Sequence, residues 1–194
     1  MQKLSSSLVS VLAAWFILPS AAHAAGVDHD FQWWQPIFLD APIVNKKVRA
    51  YFEVNPRLND NLNGMRQLII RPGIGYQFKR SLSGYVGYAW IDNFQPHRQE
   101  HRVWQQLGYG KVLFGRLQTL NRLRLEERMI EYTNGECAVR GRYMLRLAVP
   151  LKGRWYAVAS DELFVNFNTV ENGPTAGIDQ NRLYAALGLT LIHI

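Results

Sequence analysis

Residues 120–149 alternate polar and apolar side chains with a period of two, and this alternation constrains the fold more than any other feature of the chain. In LNRLRLEERM, Arg122, Arg124, Glu126 and Arg128 interleave with Leu123 and Leu125. In CAVRGRYMLRLAV, Arg140, Arg142 and Arg146 interleave with Val139, Tyr143, Leu145, Leu147 and Val149. Only an extended strand puts alternate residues on opposite faces, so each arm has one charged and one apolar face. In a soluble sandwich the charged face would meet solvent. In a small membrane barrel it would point into the lumen while the leucines met lipid.

Asn134-Gly135 marks the turn between the arms. A two-residue loop there would place Arg124 opposite Leu145 and mix the faces. A three-residue loop, Thr133-Asn134-Gly135, puts Arg122 opposite Arg146, Arg124 opposite Met144, Glu126 opposite Arg142 and Arg128 opposite Arg140, and a five-residue loop gives the same register. Glu126 is therefore expected to lie across from Arg142.

The same period recurs along the chain. Val48, Ala50, Phe52 and Val54 oppose Arg49, Tyr51 and Glu53; Leu68, Ile70, Ile74, Tyr76 and Phe78 oppose Gln67, Arg71, Gly73, Gly75 and Gln77, with a bulge expected at Pro72. GYVGYAWI suits a strongly curved strand, and further strands are expected within 102–109, 155–167 and 179–192. Residues 31–39 read as an edge or irregular strand because of Pro36, followed by a turn at 40–47. No stretch after residue 24 has the period of an amphipathic helix. Long loops at 55–64, 92–101, 129–137 and 168–177 alternate with short turns at 79–83, 110–115 and 150–153, the asymmetry of outer-membrane barrels. The expected class is all-β, an antiparallel up-and-down transmembrane β-barrel of about eight to ten strands. A periplasmic sandwich or lipocalin-like barrel is the alternative. The chain stops at LTLIHI without the aromatic end usual for such barrels, which points to a barrel incomplete at its C-terminus.

The N-terminus points to export. Lys3, an apolar run over 8–18, Pro19 and Ala22-His23-Ala24 read as a cleavable Sec-type signal peptide of residues 1–24, leaving a single domain over 25–194. The run is shorter than the roughly 18 to 20 residues of a spanning helix. Cys137 is the lone cysteine, so no intramolecular disulfide can form. The net charge of +7 becomes +6 without Lys3, but export and the placing of positive charge at alternating strand positions argue against nucleic acid. The partners implied are outer-membrane lipid of a Gram-negative bacterium, and periplasmic chaperones and the barrel-insertion machinery during biogenesis. Oligomeric state is not legible.

Several motifs are familiar together: Arg71-Pro72-Gly73-Ile74-Gly75-Tyr76, Gly87-Tyr88, Gln105-Gln106-Leu107, Arg122 through Arg128, Arg140 through Arg146, Ser160 through Asn166, and Asp179-Gln180-Asn181-Arg182-Leu183-Tyr184. Through them the chain resembles the domain-of-unknown-function 2490 family, predicted bacterial outer-membrane β-barrels without an established activity. The resemblance implies fold and location and no chemistry. It also implies a further aromatic strand pair beyond those present here.

The charged face gives the candidate site, a lumen network of Arg49, Glu53, Arg71, Arg122, Arg124, Glu126, Arg128, Arg140, Arg142, Arg146, Glu162 and Arg182. Charges in a narrow lumen persist only when paired or hydrogen-bonded, so a structural role in a largely filled interior is the first reading. The excess of arginine makes a narrow anion-selective pore or a small anionic ligand site the second. A lipid-modifying enzyme is the third: His29, His97, His101 and His193 are the histidines available, Ser81, Ser83 and Ser160 the serines, and the loop assignment brings no pair together. The chain is accordingly read as a non-enzyme without cofactor. His97 and His101 are read as loop residues rather than metal ligands. Asp161 and Glu162 cannot both face inward, so a bulge or a headgroup-level position is expected. Trp33, Trp34, Trp90, Trp104 and Trp155 are candidates for interfacial belts.

Overall fold

The computed structural model describes residues 33–59 and 64–189. The signal-peptide reading of 1–24, the start of the mature chain, His29, His193 and the end of the last expected strand lie outside them. The described residues form one antiparallel sheet of ten strands: β1 (Trp33–Trp34), β2 (Ile37–Val44), β3 (Val48–Asn59), β4 (Gly64–Lys79), β5 (Leu82–Phe94), β6 (His97–Leu113), β7 (Leu117–Ile130), β8 (Cys137–Pro150), β9 (Trp155–Asn166) and β10 (Gly177–Leu189). From β3 to β10 each strand pairs with its sequence neighbour. A second sheet, which a sandwich requires, is absent from the described residues. No helix among them is long and apolar enough to cross a membrane, which says nothing about crossing by strands.

β1 and β2 are one edge strand interrupted at Gln35 and Pro36, as the proline predicts. Trp34 opposes Arg57 and Ile37 opposes Val54, so both halves keep a single register along β3. The expected turn at 40–47 shrinks to 45–47, where Asn45 and Lys46 adopt positive φ, and Asp40 to Val44 belong to β2. Three of the four long loops shrink as well, while the connection after β9, residues 167–176, keeps its length. β3 continues through Pro56 to Asn59, and residues 60–63 lie outside the described set. The stretch read as a loop at 92–101 is a tight hairpin in which Phe94 pairs with His97. His97 and His101 are thus strand residues. Polar side chains suggested loops here, yet ladder pairing is a backbone property that exposed polar residues permit. The regular alternation of long and short connections is correspondingly weaker than expected.

No bulge occurs at Pro72. It opposes Phe52 in unbroken register with β3, while the pairing with β5 lapses after Ile70↔Trp90 and resumes in the same register at Gly73↔Gly87. The missing N–H of proline is accommodated in that gap.

The sheet curls toward its charged face. Inward side chains of distant strands meet there: Tyr51 of β3 packs edge-on to Trp104 of β6, with ring centroids 5.7 Å apart, and Arg182 of β10 stacks on Trp34 of β1 at 5.2 Å. The two edges are close, but among the described residues β10 pairs only with β9, and β1 and β2 only with β3. Over the described residues the fold is a curled half-barrel with no ladder closing it.

Burial is inverted relative to a water-soluble sheet. Glu126 is 1% exposed while Leu123 is 57% and Leu183 84% exposed. Inside, β3 to β6 supply an apolar wedge of Ile69, Tyr85, Ala89, Ile91 and Trp104, with Tyr51 packed against it. Trp104 and Trp34 therefore face inward and leave the belt proposed for the tryptophans, whereas Trp33 and Trp155 are exposed on the outer face. The wedge fits because glycines stand beneath it. A Cβ on Gly73 would lie 2.7 Å from the Trp104 ring; one on Gly87 would lie 2.5 Å from that ring and 2.4 Å from the Pro72 carbonyl oxygen.

Backbone and ring both confine Gly87, so Gly87→Ala is expected to destabilise the fold by roughly 1–3 kcal/mol through overpacking. Denaturant unfolding followed by tryptophan fluorescence measures this, and an unchanged midpoint would contradict the packing described.

Candidate functional site

The concave face of β6 to β9 carries a continuous ladder of ion pairs. Alternation puts Glu100 and Arg102 of β6, Arg122, Arg124, Glu126 and Arg128 of β7, Arg140 and Arg142 of β8, and Glu162 of β9 on that face, and strand pairing brings them into range. Glu126 is its centre. Arg140 donates to Glu126 Oε2 from Nη2 at 2.6 Å and from Nε at 3.1 Å, and Arg142 Nη1 donates to Oε1 at 2.6 Å. Arg102 and Arg124 stand at 3.6 and 3.8 Å.

The ladder extends both ways. Arg102 is also bound to Glu100, which accepts from Arg128 Nε at 2.6 Å. Arg142 Nε donates to Glu162 Oε1 at 2.9 Å, and Arg122 Nη2 donates to the same oxygen at 2.6 Å. Arg140 lies 3.4 Å from Asp179 of β10. Separately, Arg71 Nη1 and the Tyr51 hydroxyl both donate to Glu53 Oε2 at 2.6 Å. Aromatic faces complete the enclosure: Arg124 donates twice to Gln106 Oε1 and stacks on Trp104 at 5.0 Å, and Arg142 stacks on Phe164 at 4.5 Å.

The register of β7 and β8 differs by two residues from expectation. Arg124 opposes Arg142, Glu126 opposes Arg140, and Arg122 opposes Met144. The faces are unchanged because the slip is even, and Glu126 still reaches Arg142, diagonally. The Asn134-Gly135 turn does form: both residues have positive φ and the Glu136 N–H donates to the Thr133 carbonyl at 2.9 Å. The ladder leaves it early, however, ending at Met129↔Cys137. Ile130 tucks under the loop with Ala138 and Val170, Tyr132 takes positive φ, and Glu131 N–H stays with the Gln99 carbonyl of β6. In return the Gln99 N–H donates to Glu131 Oε2 at 2.8 Å and holds that carboxyl below its ordinary range.

Besides Arg71 with Glu53, three arginines of the expected network stand apart from the ladder: Arg182, which donates to Gln180, Arg49 and Arg146. Arg49 is inward but pairs with Asp40 at 2.7 Å near the short-turn end, where Tyr85 also donates to Asp40. Arg146 is exposed and has no ion-pair partner among the described residues. Conversely, Glu100 was missed because it fell in the expected loop at 92–101, and Arg102, the first residue of the strand expected over 102–109, was left out of the expected network. Extending the period of Trp104 and Gln106 backward would have found both. Asp161 and Glu162 need no bulge: Glu162 faces inward while Asp161 faces outward between Leu145 and Leu183.

No group of three or more His, Cys, Asp or Glu residues among those described could hold a metal. His101 contacts the Tyr88 hydroxyl, and His97 lies 3.2 Å from Asp92. Ser160 opposes Arg146 and Tyr184, away from either histidine's strand. A depression of about 860 Å³ lies on the outer face of the sheet, lined mainly by apolar residues including Ile74, Val86, Leu107, Leu123 and Leu163.

A family model described as protein of unknown function (DUF2490) matches residues 31–192. An uncharacterized protein of Methylorubrum extorquens is similar, at 32% identity over 149 residues covering 73% of this chain and 65% of that relative. The chain thus spans less than two thirds of the length of the relative it matches.

Breaking a buried ion pair from one side leaves uncompensated charge and costs about 3–5 kcal/mol. Glu126→Gln is expected to lose stability on that scale, while Arg146→Gln stays within about 0.5 kcal/mol. Parallel denaturant titrations of the two variants check the contrast; equal effects would show that the caged carboxylate is not the centre of the ladder.

Proposed function

Because the chain belongs to the DUF2490 family of proteins of unknown function, from which no activity follows, we propose its role from its own geometry: an integral outer-membrane β-barrel protein, exported through its N-terminal signal, whose charged interior is structural rather than catalytic. The observation that carries this is the inverted burial. Ile74, Val86, Leu107, Leu123 and Leu187 are half exposed or more on one face, and the opposite face encloses Glu126, Arg124 and Glu53. Exposing so much contiguous apolar surface to water is unfavourable at roughly 25 cal/mol per Å², and lipid removes that cost. In a hydrocarbon layer the side chains that need hydrogen bonds must point inward, as they do here.

Polar groups on the outer face are few and partly paired. Gln105 donates to Glu127 at 3.4 Å and the Tyr143 hydroxyl to Asn121 at 2.7 Å, leaving Asp161 as the outward carboxylate most costly to a lipid-facing surface. Closure of the barrel, its lipid contacts and its insertion by the periplasmic and outer-membrane machinery belong to the same proposal. So does the absence of enzymatic activity, since the inward face of β6 to β9 carries mutually paired ions instead of a nucleophile with its base.

The full-length protein, expressed in a Gram-negative host, is expected to remain with the outer-membrane fraction after urea washing and to migrate faster on a gel when unboiled than when boiled. In planar bilayers it is expected to insert without discrete conductance. Release by urea with a single gel mobility would contradict the membrane assignment; steady anion conductance would contradict the filled interior.

A further inference from the structure

Among the described residues, two enclosed inward guanidiniums, those of Arg57 and Arg182, have no carboxylate partner. Arg57 of β3 makes no hydrogen bond or ion pair among the described residues; its guanidinium lies 4.2 Å from the centre of the Trp34 ring. Arg182 of β10 lies 5.2 Å from the centre of the same ring and 4.6 Å from that of Phe164, and its one hydrogen bond among the described residues is from Nη2 to Gln180 Oε1 at 2.8 Å. Both Nε–H groups are enclosed and lack an acceptor. The charges interacting most strongly with Arg57 are the guanidiniums of Arg182, Arg102 and Arg71, with Glu53 a weaker opposite charge. Two cations brought to one indole, each with an unused buried donor, repel one another unless an anion lies between them.

We propose that Arg57 and Arg182, with Trp34 as their common platform, form a binding site for a phosphate group. Each guanidinium fork offers Nε–H and Nη–H donors in its own plane. A carboxylate has two coplanar oxygens and satisfies one such fork; a tetrahedral phosphate presents oxygens in several directions and can accept from both. The site lies on the concave face where β10 approaches β1 and β3. It is independent of whether the outer face meets lipid. The phosphate can be that of a lipid headgroup or a free phosphate, and the chemistry of recognition is the same.

The test uses the full-length protein in a maltoside detergent, or in plain buffer if it proves soluble, with thermal midpoint and tryptophan fluorescence as readouts. Inorganic phosphate and short-chain phosphatidic acid are titrated at constant ionic strength. A bound ligand raises the midpoint, and Arg57→Gln or Arg182→Gln is expected to raise the half-maximal concentration about tenfold or more, the loss of a charge-assisted bond. Arg57→Lys and Arg182→Lys keep the charge without the fork and should fall between; they also serve if a glutamine variant fails to fold. Arg146→Gln removes an equal charge elsewhere and should leave the titration unchanged. Saturation at lower phosphatidic acid than inorganic phosphate would identify a headgroup site, and the reverse a free-phosphate site. The proposal is overturned if neither probe shifts the midpoint, if Arg146→Gln weakens the response as much as Arg57→Gln, or if phosphate acts only after Asp28, Asp30 and Asp60, outside the described residues, are changed to Asn. That last result would mean that the chain's own carboxylates fill the site.

Discussion

A carboxylate 1% exposed in a sheet interior is tolerable only when several donors converge on it, and Glu126 has two guanidiniums at 2.6 Å with two more within 4 Å. Those arginines come from three strands, β6, β7 and β8, so the cage exists in one register. A slip of one residue between any two of these strands would send a charged row to the outer face and a leucine row inward. Replacing such a network by apolar side chains can be neutral or stabilising. Its value here is therefore argued from specificity, because it ties four strands, β6 to β9, to one alignment.

The concave face is divided between that network and an aromatic wedge. On the β3 to β6 side, Trp104 and Tyr85 fill space opened by Gly73, Gly75 and Gly87, and Tyr51 joins the two halves by packing on Trp104 while donating to Glu53. Arg124, stacked on Trp104 and bonded to Gln106, lies at the boundary. The interior is thus filled partly by rings and partly by ions, and neither half leaves its inward polar groups broadly solvated.

The alternation made the faces legible from residues alone: the inward placing of Glu53, Arg71, Arg122, Arg124, Glu126, Arg140, Arg142, Glu162 and Arg182 follows from counting by twos. What the residues concealed were the strand ends and the register. Polar runs with proline, such as 92–101 and 55–64, look like loops because side-chain chemistry carries no signal for a backbone ladder that continues beyond the apolar band. That concealed Glu100, the partner of Arg102 at the start of the expected strand, and the two complete the ladder. The β7–β8 register was displaced because a correctly placed Asn-Gly turn need not terminate the ladder, and the burial of Ile130 beneath Val170 depends on a loop more than thirty residues away. The division of the tryptophans between the two faces follows from register too: Trp34 and Trp104 sit on inward positions, Trp33 and Trp155 on outward ones.

The inverted sheet is tested most directly by nitroxide labels at alternating positions of β7, in a chain with Cys137 replaced by Ser and the protein reconstituted in vesicles. Labels at 123 and 125 should be relaxed by oxygen dissolved in lipid, and labels at 122 and 128, on the concave face, should be shielded from it, giving a period of two. Strong relaxation of labels at 123 and 125 by a water-soluble nickel chelate, with no response to oxygen partitioned into lipid, would contradict a lipid-facing apolar surface.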